Sequence, residues 1–79
     1  MSPTVFVYKG YRFFFFSKEE SRPHVHVNCS DGEVKFWLEP EVSLAINYGL
    51  KENQINEIKK IVGDNVNEIR NKWSEYFGC

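Results

Sequence analysis

Apolar and polar residues alternate in short blocks through the first half of the chain, and apolar residues then recur at spacings of three and four to its end. Thr4–Tyr8 and Tyr11–Ser17 are rich in Val, Phe and Tyr, and the Lys9-Gly10 pair between them fits a tight two-residue hairpin turn. That turn sets Tyr8 opposite Tyr11, Phe6 opposite Phe13 and Val5 opposite Phe14. The unbroken run Phe13–Phe16 has apolar residues on both faces and predicts a central strand. Ser17–Pro23 is a polar connection, and Pro23 forces extended backbone at Arg22. His24–Cys29 and Glu33–Leu38 then alternate on either side of Asp31-Gly32, a strong hairpin signal. A two-residue Asp31-Gly32 turn pairs Ser30 with Glu33. It places Val25 opposite Leu38, Val27 opposite Phe36 and Cys29 opposite Val34, six apolar residues on one face.

Pro40 interrupts this strand, and Val42–Ile46 predicts a further short one with Val42, Leu44 and Ile46 inward. Gly49 is a break. From Glu52 the period is helical, with Ile55, Ile58, Val62, Val66, Ile69, Trp73 and Phe77 on one stripe. An unbroken helix from Glu52 to Phe77 would be about 39 Å long, more than the ~30 Å breadth of a domain this size. A kink or break is therefore expected at Gly63-Asp64, where Gly weakens the helix and Asp can cap a new start. The expected class is α+β: an antiparallel sheet of four to five strands, built from two hairpins and followed by a long C-terminal helix. Residues 1–79 form a single domain in this reading.

Composition sharpens the picture. Seventy-nine residues hold one core of modest stability, which a partner or dimer would support. Aromatic residues make up 16%, and each buries a large area. Net charge is −1, and the first forty residues carry five charges of each sign. No positive half is available to neutralise phosphates, and no polybasic segment to hold a membrane surface. No apolar run approaches the ~20 residues of a membrane span, and no signal-peptide pattern opens the chain. Cys29 and Cys79 do not make a disulfide framework, so the expected location is a reducing cytoplasm.

The same hairpin register gives a second face, with His24, His26 and Asn28 set against Glu39, Trp37 and Lys35. A carboxylate beside an imidazole favours its charged form and orients the ring. His24 and His26 with Glu39 are thus candidate catalytic residues for acid–base chemistry. The same residues read first as ordinary cross-strand pairs on a half-exposed face. Trp37, Lys35 and Arg22 are candidate binding residues, and Arg12 could join them in a local cationic cluster. His-x-His on a strand can begin a metal site, but Cys29 points to the other face and no third ligand is evident, so no metal and no cofactor are expected. Cys29 reads as a small core residue, the serines sit in no nucleophile motif, and no glycine-rich phosphate loop exists. Trp73, Tyr76 and Phe77 read as helix-docking residues first and a partner surface second.

The stretches Pro3–Phe6 (P-T-V-F), Arg22–Val27 (R-P-H-V-H-V), Asp31–Pro40 (D-G-E-V-K-F-W-L-E-P), Leu44–Gly49 (L-A-I-N-Y-G) and Asn71–Gly78 (N-K-W-S-E-Y-F-G) carry a resemblance. The chain resembles the bacterial family known as domain of unknown function 4160. Such sequences usually have two prolines before the first His, where this one has Arg22-Pro23. The resemblance implies a small stand-alone cytoplasmic protein, often encoded beside a member of domain of unknown function 2442. It thereby implies a toxin–antitoxin-like pair. His24, His26, Trp37 and Glu39 fall at matching positions, and no catalytic role comes with them.

Three functions follow as expectations. The first is a protein-binding component of a two-protein module, docking a small partner of the 2442 type or a second copy of itself. The second is a ribonuclease-type toxin using His24 and His26 as acid–base pair, with Glu39 orienting one of them. The third is a DNA-binding regulator acting with a partner, although no helix-turn-helix spacing or basic recognition helix is present.

Overall fold

A computed structural model describes residues 4–16 and 22–78. Five strands come first: β1 (Thr4–Tyr8), β2 (Tyr11–Phe14), β3 (His24–Cys29), β4 (Gly32–Trp37) and β5 (Ser43–Tyr48). They form one antiparallel sheet in the order β1-β2-β3-β4-β5, each strand pairing with its sequence neighbour. Two helices follow, α1 (Glu52–Asp64) and α2 (Val66–Phe77). The expected α+β class, sheet first and helix after, is the observed one.

The first reversal is as expected. Lys9 and Gly10 take φ of 54° and 82°, the left-handed pair that a type I′ turn needs, and Tyr8 faces Tyr11 across it. Phe6 faces Phe13, but Val5 is an extra residue on β1, so Thr4 rather than Val5 lies opposite Phe14. The second reversal is shifted. Cys29 pairs with Gly32, so the chain turns at Ser30 and Asp31 and Gly32 is already in the strand. All partners behind it move by two: His24 faces Trp37, Val25 faces Phe36, His26 faces Lys35 and Val27 faces Val34. A shift of two keeps every side chain on its expected face and changes only its neighbour. The glycine is needed elsewhere than in the turn, since a Cβ on Gly32 would lie 2.0 Å from the Tyr48 carbonyl oxygen.

β5 begins one residue later than expected and carries a bulge between Leu44 and Ile46. The extra residue turns Ile46 to the opposite face from Leu44, so the two do not share an inward side. The helical segment breaks at Asn65, one residue beyond the expected pair, and Gly63 stays within α1. Asn65 closes α1 by donating its side-chain amide to the Ile61 carbonyl at 2.8 Å.

One side of the sheet and both helices share the core. Phe13, Val25, Val27, Val34, Phe36 and Leu38 pack with Ile58, Ile61, Val62, Ile69 and Trp73 in one cluster, and Cys29 is half-buried against it. Phe15 leaves the end of β2 to meet Trp73 edge-on at 5.4 Å. Polar ties lock the layers. The Tyr11 hydroxyl donates to Glu57 at 2.9 Å, Arg70 donates to the Leu38 carbonyl at 2.7 Å, and Gln54 joins the start of α1 to Asp31 at 2.8 Å. No helix among the described residues is long and apolar enough to cross a membrane.

Candidate functional site

The side of the sheet away from the core cluster is laid out in rows by strand register. Arg12, Asn28, Glu33 and Tyr48 lie side by side, then Phe14, His26, Lys35 and Ile46, then His24, Trp37 and Ser43. Alternation alone puts these residues here, because each strand sends every second side chain to this face. Three cations from three different places converge on aromatic rings. Arg12 lies 4.6 Å from the centre of the Phe14 ring, Arg22 lies 4.2 Å from Trp37, and Lys35 lies 4.5 Å from Trp37. Phe14 and Phe16 pack around His26 at 5.4 and 4.5 Å. A ring face attracts a cation more strongly where water is partly excluded, and Lys35 keeps only 6% of its surface exposed.

Local architecture fixes each group. Pro23 disfavours helical backbone at Arg22, where the chain bends into β3, and the Pro23 carbonyl accepts from the Leu38 N–H at 3.0 Å. Arg22 Nε and Nη2 both donate to the Glu39 carbonyl, at 3.0 and 2.9 Å, which holds the guanidinium over Trp37. Arg12 donates to the Thr4 hydroxyl at 2.9 Å.

The two histidines share this face, with ring centres 5.1 Å apart, but they are buried rather than half-exposed. His24 has no exposed surface, donates from Nδ1 to the Arg22 carbonyl at 2.7 Å, and has its ring 5.0 Å from that of Trp73 in α2. His26 is 6% exposed, and its Nδ1 lies 3.5 Å from a Glu33 carboxylate oxygen. Glu39 does not face His24, as the expected register required. It lies beyond the end of β4, and its carboxylate is 3.9 Å from Arg70 Nε. Among the described residues, the carboxylate beside a histidine is therefore Glu33, beside His26.

Of the residues singled out from sequence, Arg22, Lys35 and Trp37 are brought together directly, with His24 and His26 beneath and beside them. Phe14 and Phe16 were read only within the apolar run Phe13–Phe16, as core first, and Glu33 was not singled out. Their signal was present: Phe14 and Phe16 sit at even spacing from Arg12, and Glu33 at even spacing from Lys35 and Trp37. Among the described residues, no group of three His, Cys, Asp or Glu is placed to hold a metal ion.

A five-stranded antiparallel meander with two helices on one side and a cation-capped aromatic face on the other defines a small α+β domain. Residues 10–74 match the family model described as Domain of unknown function (DUF4160), which spans most of the 79-residue chain. The chain belongs to that family. No curated protein and no solved structure matches it.

Proposed function

We propose that this protein is the protein-binding component of a two-protein, toxin–antitoxin-like bacterial module, and that it receives an acidic segment of its partner on the Arg12, Arg22, Lys35 and Trp37 face. One observation carries the reading: three cations are held over aromatic rings on one face, and among the described residues Glu33 is the carboxylate on its rows. Positive groups on an apolar floor attract carboxylates and gain strength as docking removes water.

A nucleic-acid strand would need open ring faces for its bases to stack on. Here Phe14 is 2% exposed and Trp37 is already covered by Arg22 and Lys35, which leaves Tyr48 at the sheet edge and part of Phe16 as the open rings. Acid–base catalysis would need imidazoles that a substrate can touch, whereas His24 is fully enclosed. Both considerations favour recognition of a protein over the ribonuclease and DNA-binding alternatives.

Co-expression with the product of the adjacent gene, of the 2442 type, tests this. The two proteins are expected to co-purify, and an Arg12→Glu, Arg22→Glu double variant that still folds is expected to lose the partner. Failure to co-purify, or a complex indifferent to both reversals, would overturn the proposal. Tight binding of a single-stranded oligonucleotide by the isolated chain, abolished by the same variant, would replace it with the nucleic-acid reading.

A further inference from the structure

β5 is the last strand of the sheet, and its outer edge carries no further strand among the described residues. Edge strands are normally guarded by charge, by proline or by a bulge. The β5 sequence Ser-Leu-Ala-Ile-Asn-Tyr has neither charge nor proline, which leaves a single bulge as its guard. Its bulge sends apolar side chains to both faces, with Leu44 exposed toward the helices and Ile46 and Tyr48 exposed on the opposite side. A groove of about 480 Å³ runs between this strand and α1. Leu44 and Leu50 form one wall, and Glu52, Ile55, Asn56 and Lys59 form the other.

Those four α1 residues recur at spacings of three and four and so make a single stripe. From the N-terminal end it reads acid, apolar, amide, base. Turned end over end, the same stripe presents base, amide, apolar, acid. It is complementary in charge to itself about a point between Ile55 and Asn56. Neither Glu52 nor Lys59 takes part in an ion pair among the described residues. The opposite edge of the sheet differs. Its groove beside β1 is rimmed by four charges matched within the chain, Lys9 with Glu57 at 3.8 Å and Lys60 with Asp64 at 3.2 Å, and by Glu68.

We infer that two copies of this chain associate through β5 and the α1 stripe about a two-fold axis. The β5 strands pair antiparallel and extend the sheet to ten strands, and Glu52 of each copy faces Lys59 of the other. An isologous interface needs a patch that complements itself, and the reversed stripe has that property. This inference stands on the β5 edge and is independent of the acidic-partner proposal. The two meet in one consequence, since a continuous sheet would present two cationic faces side by side.

Sedimentation equilibrium of the full chain, over about two decades of concentration around the micromolar range, tests it. The wild-type chain is expected to dimerise. Leu44→Lys, at an exposed position that leaves the core intact, is expected to give a monomer. Glu52→Lys and Lys59→Glu are each expected to weaken dimerisation about tenfold, and the double exchange to restore it to within about threefold. Val7→Lys, on the opposite edge, is expected to change nothing. Circular dichroism establishes that each variant is folded. A wild-type monomer throughout, a dimer unaffected by Leu44→Lys, a dimer lost with Val7→Lys, or a double exchange no better than the single ones would each overturn the inference.

Discussion

The guanidinium of Arg22 lies 4.2 Å from the centre of the Trp37 ring while donating twice to the Glu39 carbonyl. Arg22 precedes β3 and Trp37 ends β4, so this contact closes the outer end of the central hairpin. Its planar fork makes the arrangement specific: a lysine could cover the ring but could not span the carbonyl with two donors.

Arg22→Ala is therefore expected to expose Trp37. Acrylamide quenching should report it, with Trp73, only 3% exposed, as the internal protected reference. A stability loss of about 1 kcal/mol is expected. Arg22→Lys should recover part of the protection and little of the affinity for the proposed acidic partner.

A second expectation concerns Gly32. A side chain there would drive its Cβ to 2.0 Å from the Tyr48 backbone oxygen, and backbone cannot swing aside as a flexible side chain can. Gly32→Ala should cost at least about 2 kcal/mol in urea unfolding and should loosen β5 before the rest of the sheet. Hydrogen exchange of the Ser43–Tyr48 amides distinguishes this local opening from uniform destabilisation.

That glycine also explains where sequence reasoning stopped short. Asp31-Gly32 looked like a turn because Asp-Gly pairs commonly supply positive φ, but this glycine serves close approach between β4 and β5. Nothing local to positions 31 and 32 reports a backbone sixteen residues further on. The faces of His24, Val25, His26 and Val27 were legible because parity survives a shift of two. Their partners were not, and so Glu39 was placed where Trp37 stands. The helix break was legible from length, since no continuous helix from Glu52 to Phe77 fits a compact domain. Its position at Asn65 depended on a side-chain cap that Gly63-Asp64 obscured. The burial of both histidines lay beyond reach, because it requires Phe14, Phe16 and Trp73 to close over them from separate elements.

Tyr11 makes a pH prediction. Burial, then the hydrogen bond to Glu57 and the negative charge of that carboxylate, raise its phenol above the ordinary 10.0. The folded state therefore holds this proton more tightly than the unfolded chain does. The resulting stabilisation is fully present below about pH 10 and is lost as pH rises through the elevated folded value. Urea midpoints between about pH 8 and pH 11 should fall more steeply above pH 10 in the wild-type chain than in Tyr11→Phe. Equal slopes would show that Tyr11 makes no such contribution.

The last prediction separates structural from chemical roles for His24. Its ring is fully enclosed, packs edge-on to Trp37 at 5.8 Å and His26 at 5.1 Å, and lies 5.0 Å from Trp73. Its Nδ1 proton satisfies the Arg22 carbonyl, which in turn sets the approach of Arg22 to Trp37. His24→Ala would leave both a void and an unmatched carbonyl, with a loss of about 3 kcal/mol expected. That is a large fraction of what so small a domain possesses. His24→Asn retains a donor near the same place and should recover part of the loss. For a residue that holds a binding face together, partner affinity should track folded fraction across the series, so the asparagine variant binds wherever it is folded. An acid–base residue would behave otherwise: the asparagine variant would fold, bind, and yet lose any growth arrest that expression of the wild-type chain causes. Thermal melts, pull-down and growth measured on the same three proteins decide between them, and the enclosed position of the ring leads us to expect the first pattern.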